Sequence, residues 1–533
     1  MAFSRSLPIS FAPPLPLVGR FTIVALTLLC VAPPCLLAAD IAVPAQQGTI
    51  QLAINVAQPG DTVVVSPGTY FELIDFLGKA ITVRSVAGPT TTIIDGSGAG
   101  PVVAFQTGEG PGSVLEGFTI QNGFGGAPPA SPPDDQVPGG ILCDSASPTI
   151  RGNVIRDHLT YYIGAGAYCK NSNAIFDSNE FINNLSQIDP VWADIVDGEG
   201  AGLQVRGGAV TLIRNRFSGN SSQWRGGALY IFNSVGSTVS GCVFEDNSSA
   251  RGGAIAIAGS SNVEITNVLF VANVAFPPQC FCPYAEGFGA AIFVEGSSTA
   301  TITFATIVGN SMSQDGNGGG IYHEPTTPVQ APVIVRNSIV RGNSATSNPQ
   351  LDPLVTTVTY SNVEGVISGV GNIDLDPLFT AGPFGAHYLS DGATGQPSTS
   401  PCVDAGDPND LPPASSVTRI DHVSDTETVD MGYHSFVEAP FHRGDCNSDG
   451  QVNIADAIFL LSALFPVSGG SATPITCDDA CDANDSGTLN IADPISILNA
   501  LFATPAVPLP PPTGACGLDP TADVRGCTTQ SGC

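Results

Sequence analysis

Lysine is almost missing from this chain. Lys79 and Lys170 are the only two in 533 residues, and 17 basic side chains face 47 acidic ones, for a net charge of −30. That balance excludes nucleic-acid binding, whose affinity comes from a basic surface meeting phosphates. Tryptophan is equally scarce, at Trp192 and Trp224 alone. Long apolar runs are absent past the first forty residues, so no membrane span is expected in the mature chain. What is abundant is glycine, 61 residues of it, which together with the acidic balance suits a turn-rich extracellular β protein.

The N-terminus carries Arg5 and Arg20, then an apolar run from Phe21 to Leu37, then Ala38-Ala39. This order of charge, apolar stretch and small residues is that of a secretory signal over residues 1–39. The competing reading, a membrane anchor, is weakened by Pro33 and Pro34 in a run near the lower limit for spanning. Of 14 cysteines, Cys30 and Cys35 leave with the leader, so twelve remain for an oxidising compartment. Six of them, Cys446, Cys477, Cys481, Cys516, Cys527 and Cys533, crowd the end. Their pairing stays open, with 15 connectivities possible.

A repeat organises most of the chain. NEFINN, NRFSGN, CVFEDN, VLFVAN, ATIVGN and SIVRGN each place an asparagine three residues after an apolar anchor. The anchors Ile120, Ile155, Phe181, Phe217, Phe244, Phe270, Ile307 and Val340 are spaced by 35, 26, 36, 27, 26, 37 and 33 residues. A glycine turn and a second strand precede most anchors, as in GAGLQV, GGALYIF and GGAIAIA. The base period of 26 predicts a coil of three short strands and turns. Stacking would align Asn184, Asn220, Asn247, Asn273, Asn310 and Asn343 as a structural ladder, which accounts for the sequons there without glycosylation.

On these residues the chain resembles the pectin-lyase-like superfamily. Thr49 to Glu72 resembles its N-terminal cap and first coil, and Gly371 to Phe379 with Ser400 to Pro408 resembles the closing segment of its secreted bacterial members. The resemblance implies a right-handed parallel β-helix over residues 40–435. It leaves activity open, because the fold hosts lyases, hydrolases and adhesins alike.

From anchor to next glycine turn the gap is 19 residues after Ile120, Phe181 and Phe270, and 8 to 11 elsewhere. The three insertions therefore leave at one corner, which in a solenoid is often the binding face. The loops 185–199 and 274–288 would stand as walls, contributing Trp192, Asp194, Asp197, Glu199, Tyr284 and Glu286. The floor would offer Trp224, Arg225, Asp246 and Arg251. Tryptophan faces stack on sugar rings, and an arginine pair 26 residues apart suits uronate carboxylates. Arg225 and Arg251 are the candidate catalytic pair, and Trp192, Trp224, Asp246 and Tyr284 the candidate substrate contacts. The plainer reading gives these arginines to neighbouring carbonyls or to Asp246, and Trp224 to covering the solenoid edge. The hydrolase pattern of close aspartates, Gly-His-Gly and a basic tripeptide is missing, so an enzyme here would be a lyase. His323-Glu324 forms no metal site or triad, and Cys280 with Cys282 reads as a loop disulfide.

The densest chemistry is duplicated 37 residues apart, in DCNSDGQVNIAD (Asp445 to Asp456) and DANDSGTLNIAD (Asp482 to Asp493). Oxygen donors at loop positions 1, 3, 5, 9 and 12, glycine at 6 and a carbonyl at 7 wrap a chain around Ca2+. The first set is Asp445, Asn447, Asp449, Gln451, Asn453 and Asp456. The second is Asp482, Asn484, Ser486, Thr488, Asn490 and Asp493, weaker because Ser486 replaces a carboxylate. Each loop runs into an apolar helix with none before it, which resembles dockerin. Dockerins choose cohesin partners with hydroxyl residues at positions 10 and 11, where this chain has Ile454-Ala455 and Ile491-Ala492. A cohesin of the familiar type is therefore not implied; the Ile-Ala pairs serve another partner or pack the helices together. Residues 436–503 form this module, and Thr504 to Thr513 reads as a stiff proline linker to a cysteine-bearing tail.

The sequence thus describes an exported β-helix protein acting in binding or degradation of acidic polysaccharide, with a calcium-dependent attachment module. The competing class is a non-catalytic surface or adhesion protein on the same fold.

Overall fold

The computed structural model describes residues 38–126, 137–187, 198–277, 287–324, 332–355, 357–365, 368–382, 385–413, 416–420, 425, 428–436, 441–464, 475, 477–486, 489–517, 527 and 530. Trp192, Asp194, Asp197, Cys280, Cys282, Tyr284, Glu286, Thr488 and residues 1–37 lie outside them. From Asp40 the chain winds as a parallel β-solenoid. Its strands stack, among the described residues, into sheets of twelve, eleven, nine and seven. One coil runs Leu203–Arg206 in the nine-stranded sheet, Thr211–Ile213 in the twelve-stranded, Arg216–Ser218 in the eleven-stranded and Ser221–Ser222 in the seven-stranded.

The fourth short strand is not in the three-strand coil read from the sequence. It forms because the ladder asparagine keeps its main chain paired, with Ser221 N–H donating to Asn184 C=O at 2.9 Å. The anchors fall in register as Cα partners: Ile155 with Phe181, Phe181 with Phe217, Phe217 with Phe244, Phe244 with Phe270, Phe270 with Ile307 and Ile307 with Val340. Their four phenylalanine rings stack inside at 4.6, 4.8 and 5.1 Å.

Two rows of side-chain amides run along the solenoid. In the first, Asn184, Asn220, Asn247, Asn273 and Asn310 each donate Nδ2–H to the Oδ1 of the next at 2.9 to 3.0 Å, ending on Asn343. The second row, Asn153, Asn179 and Asn215, sits two residues before the anchors and is linked the same way at 3.1 and 3.0 Å. Cys242 takes the following rung. Buried donors and acceptors are thereby satisfied, which a solenoid of tight turns requires.

Helix α1 (Ile50–Val56) closes the first coil with Ile50, Ala53 and Ile54, its N-terminal amides received by Thr49 and Glu72. At the other end a hairpin, Phe379–Gly382 against Gly385–Leu389, folds over the last coils. Asp407, Tyr433 and His434 then meet successive turns at Asn337, Thr306 and Asn267, the last exchanging hydrogen bonds with His434 at 2.9 and 2.7 Å.

Among the described residues three helices follow: α2 (Ile454–Leu464), α3 (Asp478–Cys481) and α4 (Ala492–Phe502). Ala457 on α2 packs with Ala483 and Ile497, Leu460 with the Cys446–Cys481 disulfide, and a second disulfide joins Cys477 to Cys527. The proline segment departs from the linker reading. Leu509 packs into the cluster around Ala457 and Ile497, Arg443 N–H donates to Pro512 C=O, and Phe441 and Gly517 exchange hydrogen bonds at 2.8 and 3.0 Å. Leucine among the prolines gives the segment an apolar contact that composition alone does not reveal. In the solenoid, Cys143, Cys169, Cys242 and Cys402 are unbridged and buried, serving as small core residues. Among the described residues no helix is long and apolar enough to cross a membrane.

Candidate functional site

The described ends of all three insertions, at residues 126 and 137, 187 and 198, and 277 and 287, lie between the seven-stranded and nine-stranded sheets. Glu199, Arg225, Arg251 and Phe288 are bridged in sequence across successive coils at that corner. The turn after each arginine needs glycine. Gly226 and Gly252 have φ of 62° and 67°, and a Cβ would come within 2.3 and 2.2 Å of Leu229 and Ile255 carbonyls.

Both arginines lie over the outer face of the nine-stranded sheet and are matched by carboxylates. Arg225 reaches Glu295 at 2.9 Å and Glu199 at 3.4 Å, and Arg251 reaches Glu324 at 3.4 Å and Glu295 at 3.9 Å. Trp224 is stacked with them, 5.3 Å from the Arg225 guanidinium and 4.7 Å from that of Arg251, and is only 6 % exposed. Arg251 is 5 % exposed and also packs on Phe288 and Phe293. Trp224 therefore presents no open face for a sugar ring, and a uronate would have to displace a glutamate to grip either fork. Burial pulls the Arg225 pKa down, but Tyr230, Glu295 and Glu199 outweigh it and hold the guanidinium above its usual range. A group held in its charged form is a poor proton acceptor. Asp246 is elsewhere: it is exposed on a left-handed turn between the eleven- and seven-stranded sheets, at φ 54°. Its carboxylate does not account for the arginines, which meet glutamates from neighbouring coils.

Sequence reasoning missed the outer face of this sheet. Strand alternation sends Leu203 and Val205 into the core and turns Gln204 and Arg206 outward. In the outward row Tyr230, Ala256 and Phe293 form an apolar cluster outside the solenoid, bordered by Phe232 and Tyr322. Beside it Lys170, Arg206 and Phe232 are Cα partners on successive strands, all half-buried, with Arg206 5.5 Å from the Phe232 ring. The signal was the even positions of AYCK, LQVR and LYIF.

The described residues of the duplicated loops share one geometry. Position 4 is left-handed in both, Ser448 at 58° and Asp485 at 57°. In the first, Asp445 accepts from the amides of Asp449 and Gly450 at 3.0 and 2.9 Å, and Asp456 from Asn447 and Asn453 at 3.1 and 2.8 Å. Asn447 and Asn453 accept from Asp449 and Ala455 amides, and Asn453 Nδ2 donates to the Gln451 carbonyl. In the second, Asp482 accepts from Ser486, and Asp493 from Asn484 and Asn490 at 3.4 and 2.7 Å. Ala492 donates to Asn490 as Ala455 does to Asn453.

These oxygens fit a hard cation. Asp482 Oδ2 and Asn484 Oδ1 are buried with no hydrogen-bond partner, a costly arrangement that a cation would relieve. Burial, with Asp482 next to it, pushes Asp493 up to about 7, and burial raises Asp445 and Asp456 as well. A further cluster, Asp404, Asp425 and Asp430, is absorbed in holding the closing segment. Asp430 accepts from the Asp404 amide and the Thr418 hydroxyl, and Asp425 from the Asp430 amide.

On the helices after the loops, Ile454 and Ile491 are 51 % and 54 % exposed, and Ile458 and Ile495 lie exposed one turn on. These four isoleucines do not pack the helices together; Ala457 and Ile497 do.

Residues 139–350 match the family model described as "Right handed beta helix region". No curated protein matches the chain. Among solved structures, similar ones include alginate lyase from Paenibacillus sp. str. FPU-7, at 14 % identity and TM-score 0.28, covering 60 % of this chain and 97 % of that one. Rice weevil pectin methyl esterase gives 12 %, 0.22, 49 % and 77 %, in the same order. A mutant of the PL6 family alginate lyase AlyGC gives 13 %, 0.31, 71 % and 60 %. With its strands stacked coil on coil in parallel sheets, the solenoid of this chain is a right-handed parallel β-helix.

Proposed function

We propose that this chain is an exported calcium-binding protein whose β-helix binds acidic polysaccharide and whose C-terminal module attaches it to a partner. The observation that carries the calcium reading is the pair of matching loops whose carboxylates converge, with Asp482 Oδ2 and Asn484 Oδ1 buried and unsatisfied. Asp445, Asn447, Asp449, Gln451, Asn453 and Asp456 would hold one ion. Asp482, Asn484, Ser486, Thr488, Asn490 and Asp493 would hold the other. Bound calcium supplies the positive charge that lets these carboxylates stay ionised side by side. The four exposed isoleucines support an apolar protein partner in place of a hydroxyl-reading cohesin.

For the sugar, Lys170 and Arg206 on adjacent strands beside Phe232 support recognition of a uronate, with two cations and an aromatic side chain in one half-buried outward row. The charge-matched Arg225 and Arg251 support binding over turnover. Isothermal titration should count two Ca2+ in the parent and one in the Asp445→Ala, Asp456→Ala variant; equal counts would remove the ligand assignment. Pull-down on alginate and polygalacturonate in calcium should retain the chain and lose it in a Lys170→Ala, Arg206→Ala variant. Rising unsaturated-uronate absorbance in the same tubes would replace binding by a lyase.

A further inference from the structure

A second cleft lies away from the arginine corner, on the outer face of the eleven-stranded sheet where the terminal hairpin folds over it. Its volume is about 560 Å³, within the ~300–1,000 Å³ of small-molecule sites. The floor is one row of Cα partners on successive coils, Val271, Val308 and Arg341. The hairpin wall brings Phe379 and His387, whose rings meet edge to face at 5.3 Å.

The charge of this cleft is not that of a uronate site. Arg341 Nη1 is already held by Asp374 at 2.6 Å and by Asn362 Oδ1 at 3.1 Å. Glu364 and Asp376 also line it, so with Arg341 already paired to Asp374 the remaining formal charge of the cleft is negative. An anionic sugar would be repelled there. Glu364 receives the Gly342 amide and the Gln350 side chain at 2.8 and 3.0 Å, and Asp376 receives the Leu378 amide at 2.9 Å. Both carboxylates are thus fixed in place as hydrogen-bond acceptors at the rim. Burial alone lowers the His387 pKa, leaving a neutral imidazole at pH 7 with one donor and one acceptor nitrogen.

We infer that this cleft binds a neutral oligosaccharide. Val271, Val308 and Phe379 offer an apolar surface to the C–H face of a pyranose. The glutamate, the aspartate and the imidazole lie around it for the hydroxyls, the division of labour that sugar pockets use. The cleft is separate from the Lys170 and Arg206 row, so the inference does not rest on the acidic-polysaccharide reading.

The test titrates the full chain, in calcium, with cellohexaose, xylohexaose and mannohexaose, and in parallel with trigalacturonate and a glucosamine hexamer. At least one neutral hexaose should bind. Val271→Trp, which fills the cleft from the floor, and His387→Ala, which removes a hydroxyl partner from the wall, should each weaken that binding by about tenfold or more at an unchanged melting temperature. If Val271→Trp fails to fold, His387→Ala carries the test. Absence of binding by every neutral hexaose overturns the inference, as does neutral binding that every folded variant retains at parental strength.

Discussion

His158 stands where the ladder would have an asparagine, its amide donating to Asn184 Oδ1 at 3.2 Å. Nδ1 accepts the Gly123 amide at 3.0 Å and Nε2 lies 3.0 Å from the Ile120 carbonyl. Those partners suit the neutral Nε2–H form, since a second proton would point Nδ1–H at another N–H. Burial pulls its pKa down to about 4. The unfolded chain takes up this proton near pH 6.5, and the folded chain resists until about 4. Stability from this site is whole above pH 6.5 and drains as pH falls to 4, by about 3 kcal/mol in all. Urea midpoints at pH 7 and 4.5 should therefore differ more in the parent than in His158→Asn, and an equal difference in both would sink the assignment. A second expectation at this scale concerns Trp224. Buried among Arg225 and Arg251, it should respond to Trp224→Ala with a stability loss of about 3–5 kcal/mol, read by denaturation, while polysaccharide retention by the folded fraction stays level.

At the scale of the element, the ladder is a chain of amides in which each asparagine serves two coils. Asn220 Oδ1 receives both the backbone and side-chain N–H of Asn184, and its Nδ2 donates to the Phe181 carbonyl and to Asn247. Asn220→Ala strands several buried groups at once, at ~1–3 kcal/mol each, so the coils around Phe181 and Phe217 should open first in hydrogen exchange. Asn183, beside Asn184 on the preceding coil but outside the ladder, should tolerate Gly, because its φ is 53° and glycine adopts it freely. The first ladder was legible because a repeated F-x-x-N survives loop insertions. The second was not, because Asn153, Asn179 and Asn215 give way to Cys242 at the fourth rung. The outward row of the nine-stranded sheet was hidden differently. With Tyr230, Ala256 and Phe293 buried as fully as the residues facing inward, the apolar alternation that marks a half-exposed strand is erased.

At the scale of the molecule, the two halves are built on different logic. The solenoid repeats one unit, so its register follows from spacing alone. The C-terminal module is closed by contacts that no period announces. Cys446–Cys481 joins the starts of the two duplicated loops, and Cys477–Cys527 ties the tail to α3. These bridges alter what chelation should do. EDTA alone should loosen the module without unfolding it, and EDTA with a reductant should abolish the helical circular dichroism while the β signal stays. The proline segment sharpens this. Buried Arg443 donates to the carbonyls of Pro511, Asp479 and Asp482 and pairs with Asp485 at 3.0 Å. It thereby bolts the segment to the second loop, while Gln530 donates to the Asp445 carbonyl at the head of the first. A chain ending at residue 503 would leave Arg443 short of a partner, strip Leu509 from α4 and free Cys477. A free linker could be removed without consequence. Here its removal should lower the melting temperature of the module, weaken calcium binding at both loops and leave the solenoid transition where it was. An unchanged module transition in the truncated chain would return residues 504–533 to the role of a tether.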